Sequence, residues 1–144
     1  MKRIPVVPLA LAITTFTVGF STARAQTPAS ALDGIYADEQ AKRGEKVYAD
    51  NCATCHGDKL EGTNTGGPAL SGKDFINGWK GMTAGELIDK ISMDMPSNAP
   101  GTLKPDQYAD VMAYVLSVNK YPAGKTPLPT TSATLKTVKM MEPK

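Results

Sequence analysis

A chain of 144 residues with 16 basic and 14 acidic side chains, one histidine and two cysteines has room for a single domain with a modest core, not for several. Its formal charge of +2 comes without a run of Lys or Arg, which excludes a nucleic-acid partner. No strand-like alternation appears before the C-terminal tail, so the predicted fold class is all-α, with about three main helices joined by long loops.

Residues 1–25 have the layout of an export signal. Lys2 and Arg3 form a basic start, Ile4 to Phe20 is mostly apolar, and Ala23-Arg24-Ala25 offers a small-x-small cleavage site. The apolar stretch is 17 residues long and contains Pro5, Pro8, Thr14, Thr15 and Thr17, which makes it short for a membrane span. Cleavage leaves 119 residues beginning at Gln26 and removes three of the 16 basic side chains, so 13 remain against 14 acidic ones, a charge near −1. No stable membrane span is expected after cleavage.

A lead-in segment, residues 26–37, follows, with Asp33-Gly34 as a turn and Ile35 and Tyr36 available to dock. A main domain is predicted over 38–120. It opens on a helix from Asp38 to about Asn51, with Asp38 and Glu39 at the positive end of its dipole. Ala41, Gly44, Val47, Tyr48 and Asn51 share one face. Glycine in mid-helix costs about 1 kcal/mol relative to alanine, so Gly44 either admits the close approach of another backbone or is simply tolerated.

The helix runs into Cys52-Ala53-Thr54-Cys55-His56, a C-x-x-C-H run that reads as covalent haem attachment. Each thiol can add to one haem vinyl group as a thioether, and the following residue then lies under the iron. His56 is that residue and the sole histidine, so with a haem present its Nε2 is the proximal ligand. Three plainer readings compete. A structural zinc site needs four ligands, and only a carboxylate or water could complete Cys52, Cys55 and His56. A thioredoxin-like pair needs a preceding strand, where a helical pattern stands instead. A local disulfide would close a loop too small to constrain the unfolded chain much. The haem reading is the preferred one.

Gly57 to Gly78 is a 22-residue, glycine-rich stretch without helical periodicity. Loops of that length usually carry function, and Pro68, Leu70 and Phe75 are candidate haem-wall residues. Thr83-x-x-Glu86 then forms a capping box ahead of Leu87, Ile88 and Ile91. A second irregular stretch, Ser92 to Lys104, carries Met93, Met95, Pro96 and Pro100 and reads as the opposite wall. From Pro105 to about Asn119, Tyr108, Val111, Met112, Val115 and Leu116 follow a buried helical stripe, with Pro105 suited to the first turn. Residues 121–144, rich in proline and threonine, read as an extended C-terminal tail that either wraps the domain or hangs loose.

These features together resemble a single-haem, soluble, exported c-type cytochrome of the bacterial class I kind. The resemblance covers about residues 31–140. It rests on Asp33-Gly34-Ile35-Tyr36, Gly44-x-x-x-Tyr48, Cys52 to Gly57, Gly67-Pro68-Ala69-Leu70, Met95-Pro96, Ala99-Pro100-Gly101-x-Leu103 and Tyr108 to Asn119. It implies a small cytochrome c fold enclosing one covalent haem c, with Cys52 and Cys55 as thioether sites, His56 as proximal ligand, Met95 as distal ligand and the Pro68 carbonyl holding His56 Nδ1. It leaves Trp79 as either a propionate contact or a core aromatic. Relatives usually begin the last helix with Ser or Thr where this chain has Lys104, so that start is expected to fray. Met93 is the rival of Met95. Pro96 disfavours helical dihedrals at Met95 and releases it in extended form, which ends the preceding helix near Met93 and leaves Met93 to cap or pack that end.

The implied iron, saturated by His56 and Met95, has no open position and exchanges electrons only. The resemblance therefore implies a monomeric periplasmic electron carrier, not itself an enzyme, with a dehydrogenase or quinol-oxidising complex as donor and an oxidase as acceptor. Two alternatives stand beside it. One is a dedicated electron-accepting subunit of a quinoprotein dehydrogenase, suggested by the Tyr121-Pro122-Ala123-Gly124 opening of the tail. The other is a haem sensor or weak peroxidase with a labile sixth ligand.

Overall fold

The computed structural model describes residues 27–64 and 66–144; the expected export signal lies outside them. Within these residues the chain forms five helices: α1 (Asp38–Asn51), α2 (Ala53–His56), α3 (Gly72–Trp79), α4 (Ala84–Asp94) and α5 (Pro105–Val118), with a single 3-10 turn at Ala31–Asp33 ahead of them. Among the described residues there is no named strand, only isolated bridges at Lys139, and the fold class is all-α as the sequence predicts. No helix of the described residues is long and apolar enough to cross a membrane.

The frame is the crossing of α1 and α5. Gly44 sits where the two backbones meet: a Cβ built on it would overlap the carbonyl of Asp110 and come within 2.9 Å of Tyr114 Cβ. The close-approach alternative for this glycine is therefore the one the fold adopts. One turn further on, Tyr48 and Tyr114 stack at 5.4 Å between centroids and 53° between planes, a tilted pair of the favourable kind. On the other side of Gly44, Arg43 forks onto Asp110, with Nε–Oδ2 at 2.8 Å and Nη2–Oδ1 at 2.7 Å. The carboxylate is nearly buried while the guanidinium stays in water, so the pair chiefly supplies partners to a buried acid that would be costly alone. The predicted stripe of α5 is fully internal: Tyr108, Val111, Met112, Val115 and Leu116 are all buried.

Helix starts follow local chemistry. At α4 the Thr83 hydroxyl accepts from the Glu86 amide at 3.1 Å, and Glu86 Oε2 accepts from the Thr83 amide at 2.7 Å, the reciprocal box expected from Thr83-x-x-Glu86. Hydrogen bonds from the Thr83 hydroxyl and amide, with Lys139 nearby, hold the Glu86 carboxyl below its ordinary range. At α5 the expected fraying is corrected. The Lys104 side chain supplies no cap, but Gln107 Oε1 accepts from the Lys104 amide at 3.0 Å and closes the first turn from inside the helix.

A second correction concerns 72–79, which the sequence reading leaves irregular and the structure makes helical. Phe75, expected as a loop wall, is buried within α3. Trp79 lies 6.4 Å from it and, half-buried, packs against the core.

The tail wraps. Tyr121, Leu128, Leu135, Val138 and Met140 are each at most 3% exposed. The tail is held by backbone pairs to both ends of the fold: Lys139 exchanges bonds with Ala29 and Ala31, each 2.9 Å, and Met140 with Gly81 and Met82 at 3.0 and 2.9 Å. Upstream, Tyr36 donates to the Tyr121 carbonyl at 2.7 Å and accepts at its own carbonyl from the Gly124 amide at 2.7 Å. The buried Gln40 amide both donates to the Leu128 carbonyl and accepts from its N–H. Gly34, at φ 74°, lies flat against Gly124, whose Cβ would overlap its carbonyl. The turn read from Asp33-Gly34 thus serves as the seat of the tail.

Candidate functional site

Helix α1 delivers the C-x-x-C-H run directly. Cys52 terminates it by donating to the Tyr48 carbonyl at 2.8 Å, and the single turn α2 begins at the next residue. The His56 and Cys55 amides both return to the Cys52 carbonyl, at 3.0 and 3.1 Å. The two thiols, a helical turn apart, fall on one side of that turn. Gly57, at φ 81°, stops the turn in a conformation that favours glycine. Its carbonyl accepts from the buried Tyr48 hydroxyl at 2.7 Å, which bolts the motif to α1.

Both cysteines are free thiols, Cys52 half-buried and Cys55 exposed. Burial first, and the neighbouring Cys55 second, push the Cys52 thiol up to about 11. A thiol raised in this way is not the activated thiolate of a redox pair. The helix in front of Cys52 likewise denies the thioredoxin-like reading its strand. Among the described residues no three His, Cys, Asp or Glu side chains gather so as to hold a metal ion.

His56 is 7% exposed, and its Nδ1 lies 2.8 Å from the Pro68 carbonyl oxygen. A carbonyl can only accept, so Nδ1 carries a proton there, and in the neutral ring Nε2 keeps its lone pair for another partner. This is the carbonyl contact that the cytochrome resemblance implies for Pro68. The ring is also held from the side, because a Cβ on Gly67 would overlap it. Gly67 cannot withdraw: its amide donates to the Cys55 carbonyl at 2.8 Å and its carbonyl accepts from Thr63 at 3.2 Å. The Thr63 hydroxyl donates to the same Cys55 carbonyl at 2.8 Å, and Gly62 to the His56 carbonyl at 2.7 Å. The glycine-rich segment is therefore a strap folded back over the motif.

The far end of the strap is tied by a residue that sequence reasoning passed over. Asn119, 4% exposed at the end of α5, donates to the Leu70 carbonyl at 2.8 Å and accepts from the Gly72 amide at 2.9 Å. One side chain thus closes the strap and begins α3. A buried-polar position just beyond an apolar stripe is the signal that could have found it.

Met95 stands on a different segment and makes no hydrogen bond to the Cys52–His56 turn among the described residues. Helix α4 runs to Asp94, one residue beyond the expected end, and Met95 is extended at φ −122°, ψ 151°, as the following Pro96 requires. Met93 does not pack its helix end as expected; it is 69% exposed. Met112 is fully buried core, and Met82 lies at the surface.

The residues at this site fit a covalently bound haem. Two unpaired thiols flank one helical turn, an imidazole with a fixed proton follows directly, and a bare glycine backbone lies where a side chain would displace the ring. Fold and site together define a c-type cytochrome, a small all-α domain built around a C-x-x-C-H turn. The chain belongs to the family described as cytochrome C oxidase, cbb3-type, subunit III, which matches residues 39–115.

It is similar to a thiosulfate dehydrogenase of Stutzerimonas stutzeri (strain A1501), 37% identical over 83 residues that make up 52% of this chain and 26% of the relative. A cbb3-type cytochrome c oxidase subunit CcoP of Rubrivivax gelatinosus is 35% identical over 80 residues, 55% of this chain and 26% of that one. This chain spans about a quarter of the length of these curated relatives. Among solved structures, the sulfane dehydrogenase SoxCD from Paracoccus pantotrophus covers 72% of this chain and 61% of its own at 22% identity, with a TM-score of 0.45. Membership of the family implies covalently bound haem c and electron transfer.

Proposed function

We propose that this protein is an exported single-electron carrier with one haem c, bonded through Cys52 and Cys55 and ligated by His56 and Met95. When bound, such a haem supplies reversible one-electron exchange at iron, with no open coordination position for a substrate. The observation that carries the reading is the His56 ring: protonated at Nδ1 toward Pro68, wedged by Gly67, and free at Nε2, directly after two unpaired thiols. The chain's own work is to hold that ring in one orientation in both oxidation states, which keeps reorganisation on electron exchange small. Gly62, Thr63 and Gly67 tie the strap back to the motif through the Cys55 and His56 carbonyls.

Met95 is assigned on its extended backbone ahead of Pro96 and on the failure of the rivals. Met112 is enclosed in the core, and Met93 sits on the last turn of α4 rather than in the following loop. The test is to make Met95→Ala and Met93→Ala separately and record the weak far-red band of the ferric sulfur–iron bond. Met95→Ala should abolish the band and lower the reduction potential, while Met93→Ala should keep both. The reverse result reassigns the ligand.

The relatives bear names of a thiosulfate dehydrogenase and of an oxidase subunit, enzymes that give electrons and that take them. That pairing supports a chain serving a dehydrogenase as donor and an oxidase as acceptor. The periplasm follows from the signal-like segment at residues 1–25. A diffusible carrier of this kind should be recovered from periplasmic extracts as a free monomer by size-exclusion chromatography. Stable co-elution with a larger dehydrogenase would make it a dedicated subunit instead.

A further inference from the structure

The segment between α4 and α5 is held to the body of the protein in an unusual way. Its internal hydrogen bonds are local: Ala99 N–H to the Pro96 carbonyl at 2.8 Å, and the Thr102 hydroxyl to the Ala99 carbonyl at 2.8 Å. Its two ends meet at one atom. Tyr108 Oη, on the first turns of α5, donates to the Met95 carbonyl at 2.9 Å and accepts from the Leu103 amide at 3.2 Å. Residues 96–103 make no other hydrogen bond to the rest of the chain among the described residues. The tyrosine ring is 4% exposed and sits in the core stripe of α5, so the hydroxyl is fixed by packing and not by the loop it holds.

We infer that Tyr108 is the latch of the sixth ligand, a positioning residue whose hydroxyl closes the 95–103 loop into a ring and so keeps Met95 where it stands. This deepens the proposed function and rests on its assignment of Met95. Packing alone does not require the hydroxyl. A phenylalanine would fill the same volume in α5, yet would leave the Met95 carbonyl and the Leu103 amide to find water or each other. Because both bonds join the ends of the loop to a side chain fixed in the core, losing them should favour an opened loop more than it weakens the fold.

The experiment uses the full holoprotein and imidazole as the probe, since an incoming ligand must wait for the sulfur to leave. Tyr108→Phe should raise the rate of imidazole binding to the ferric protein about tenfold, the scale of one to two net hydrogen bonds. The far-red band should then be lost at lower urea than helical circular dichroism is. Tyr114→Phe, one hydroxyl removed from the same helix but away from the loop, should leave the imidazole rate unchanged. In the unmodified protein the Leu103 amide should exchange with solvent well more slowly than Gly101 and Thr102, whose amides have no acceptor among the described residues. An unchanged imidazole rate in Tyr108→Phe, or a Leu103 amide exchanging as fast as its neighbours, overturns the latch while Met95→Ala can still confirm the ligand. A protein that keeps its far-red band in Met95→Ala overturns both.

Discussion

Gly44→Val should leave little or no folded holoprotein, and Gly44→Ala should lower the unfolding free energy by several kcal/mol. The added carbon would occupy the space of the Asp110 carbonyl, and a backbone group inside a helix cannot turn aside as a flexible side chain can. Overpacking a tight contact commonly costs about 1–3 kcal/mol and more where nothing yields. Against this, alanine in a helix interior recovers about 1 kcal/mol of propensity, which is the smaller figure. For a domain whose whole stability is on the order of 5–15 kcal/mol, forcing α1 from α5 is a large fraction. The loss reaches the site, because α1 carries the Tyr48 hydroxyl that anchors Gly57 and α5 carries Asn119, which ties down the strap. The check is a urea midpoint with Gly78→Ala as control. A Cβ there meets nothing within 4 Å, so that change should be neutral or add about 0.4–1 kcal/mol. A Gly44→Ala protein as stable as the Gly78→Ala one would overturn the account.

What could be read from the residues alone divides by the range of the forces involved. The C-x-x-C-H turn was legible because its chemistry is local: thiols and imidazole must fall within five residues, whatever surrounds them. Helix α5 was legible because its stripe repeats without interruption, and α4 because Thr83 and Glu86 state its start. Helix α3 was hidden. Gly72 and Gly78 break its pattern, and its first amide is capped by Asn119, 47 residues away. The start of α5 carries no Ser or Thr at Lys104 to announce it, because its closing bond comes back from Gln107. Gly44 stayed ambiguous until the partner helix was placed against it. The tail was harder still. Its prolines and threonines fit a loose end equally well, and what seats it are backbone pairings to residues 29–31 and 81–85 that no spacing announces. At the site, Pro68 reads from the sequence as a wall residue, and its carbonyl's hold on His56 comes only through resemblance to cytochromes; the role of Gly67 is not announced, because the contact that matters is with a ring 11 residues earlier in the chain.

That contact leads to the second large effect. Gly67→Ala should sharply reduce the yield of haem-stained protein and leave the remainder with a shifted potential, although it touches neither thiol. The new methyl would stand in the imidazole of His56. Three responses are conceivable, and two are blocked. The strap cannot retreat, since the residue 67 amide and carbonyl are both bonded, to Cys55 and Thr63, and residue 68 carries the carbonyl that His56 Nδ1 needs. The C-x-x-C-H turn cannot move the other way, because Gly57 is tethered to Tyr48. What remains is rotation of the ring, which breaks the Nδ1 bond to Pro68 and swings Nε2 off its line. A buried imidazole then loses a hydrogen bond worth about 1 kcal/mol net, and the proposed proximal ligand loses its orientation, which for metal-binding histidines typically costs about 10–100-fold in affinity or activity. The readouts are in-gel haem staining against total protein, the urea midpoint, and the reduction potential of whatever holoprotein accumulates. Gly67→Ala with native yield and native potential would mean that the ring is not held from this side, and the carrier proposal would lose the observation on which it chiefly rests.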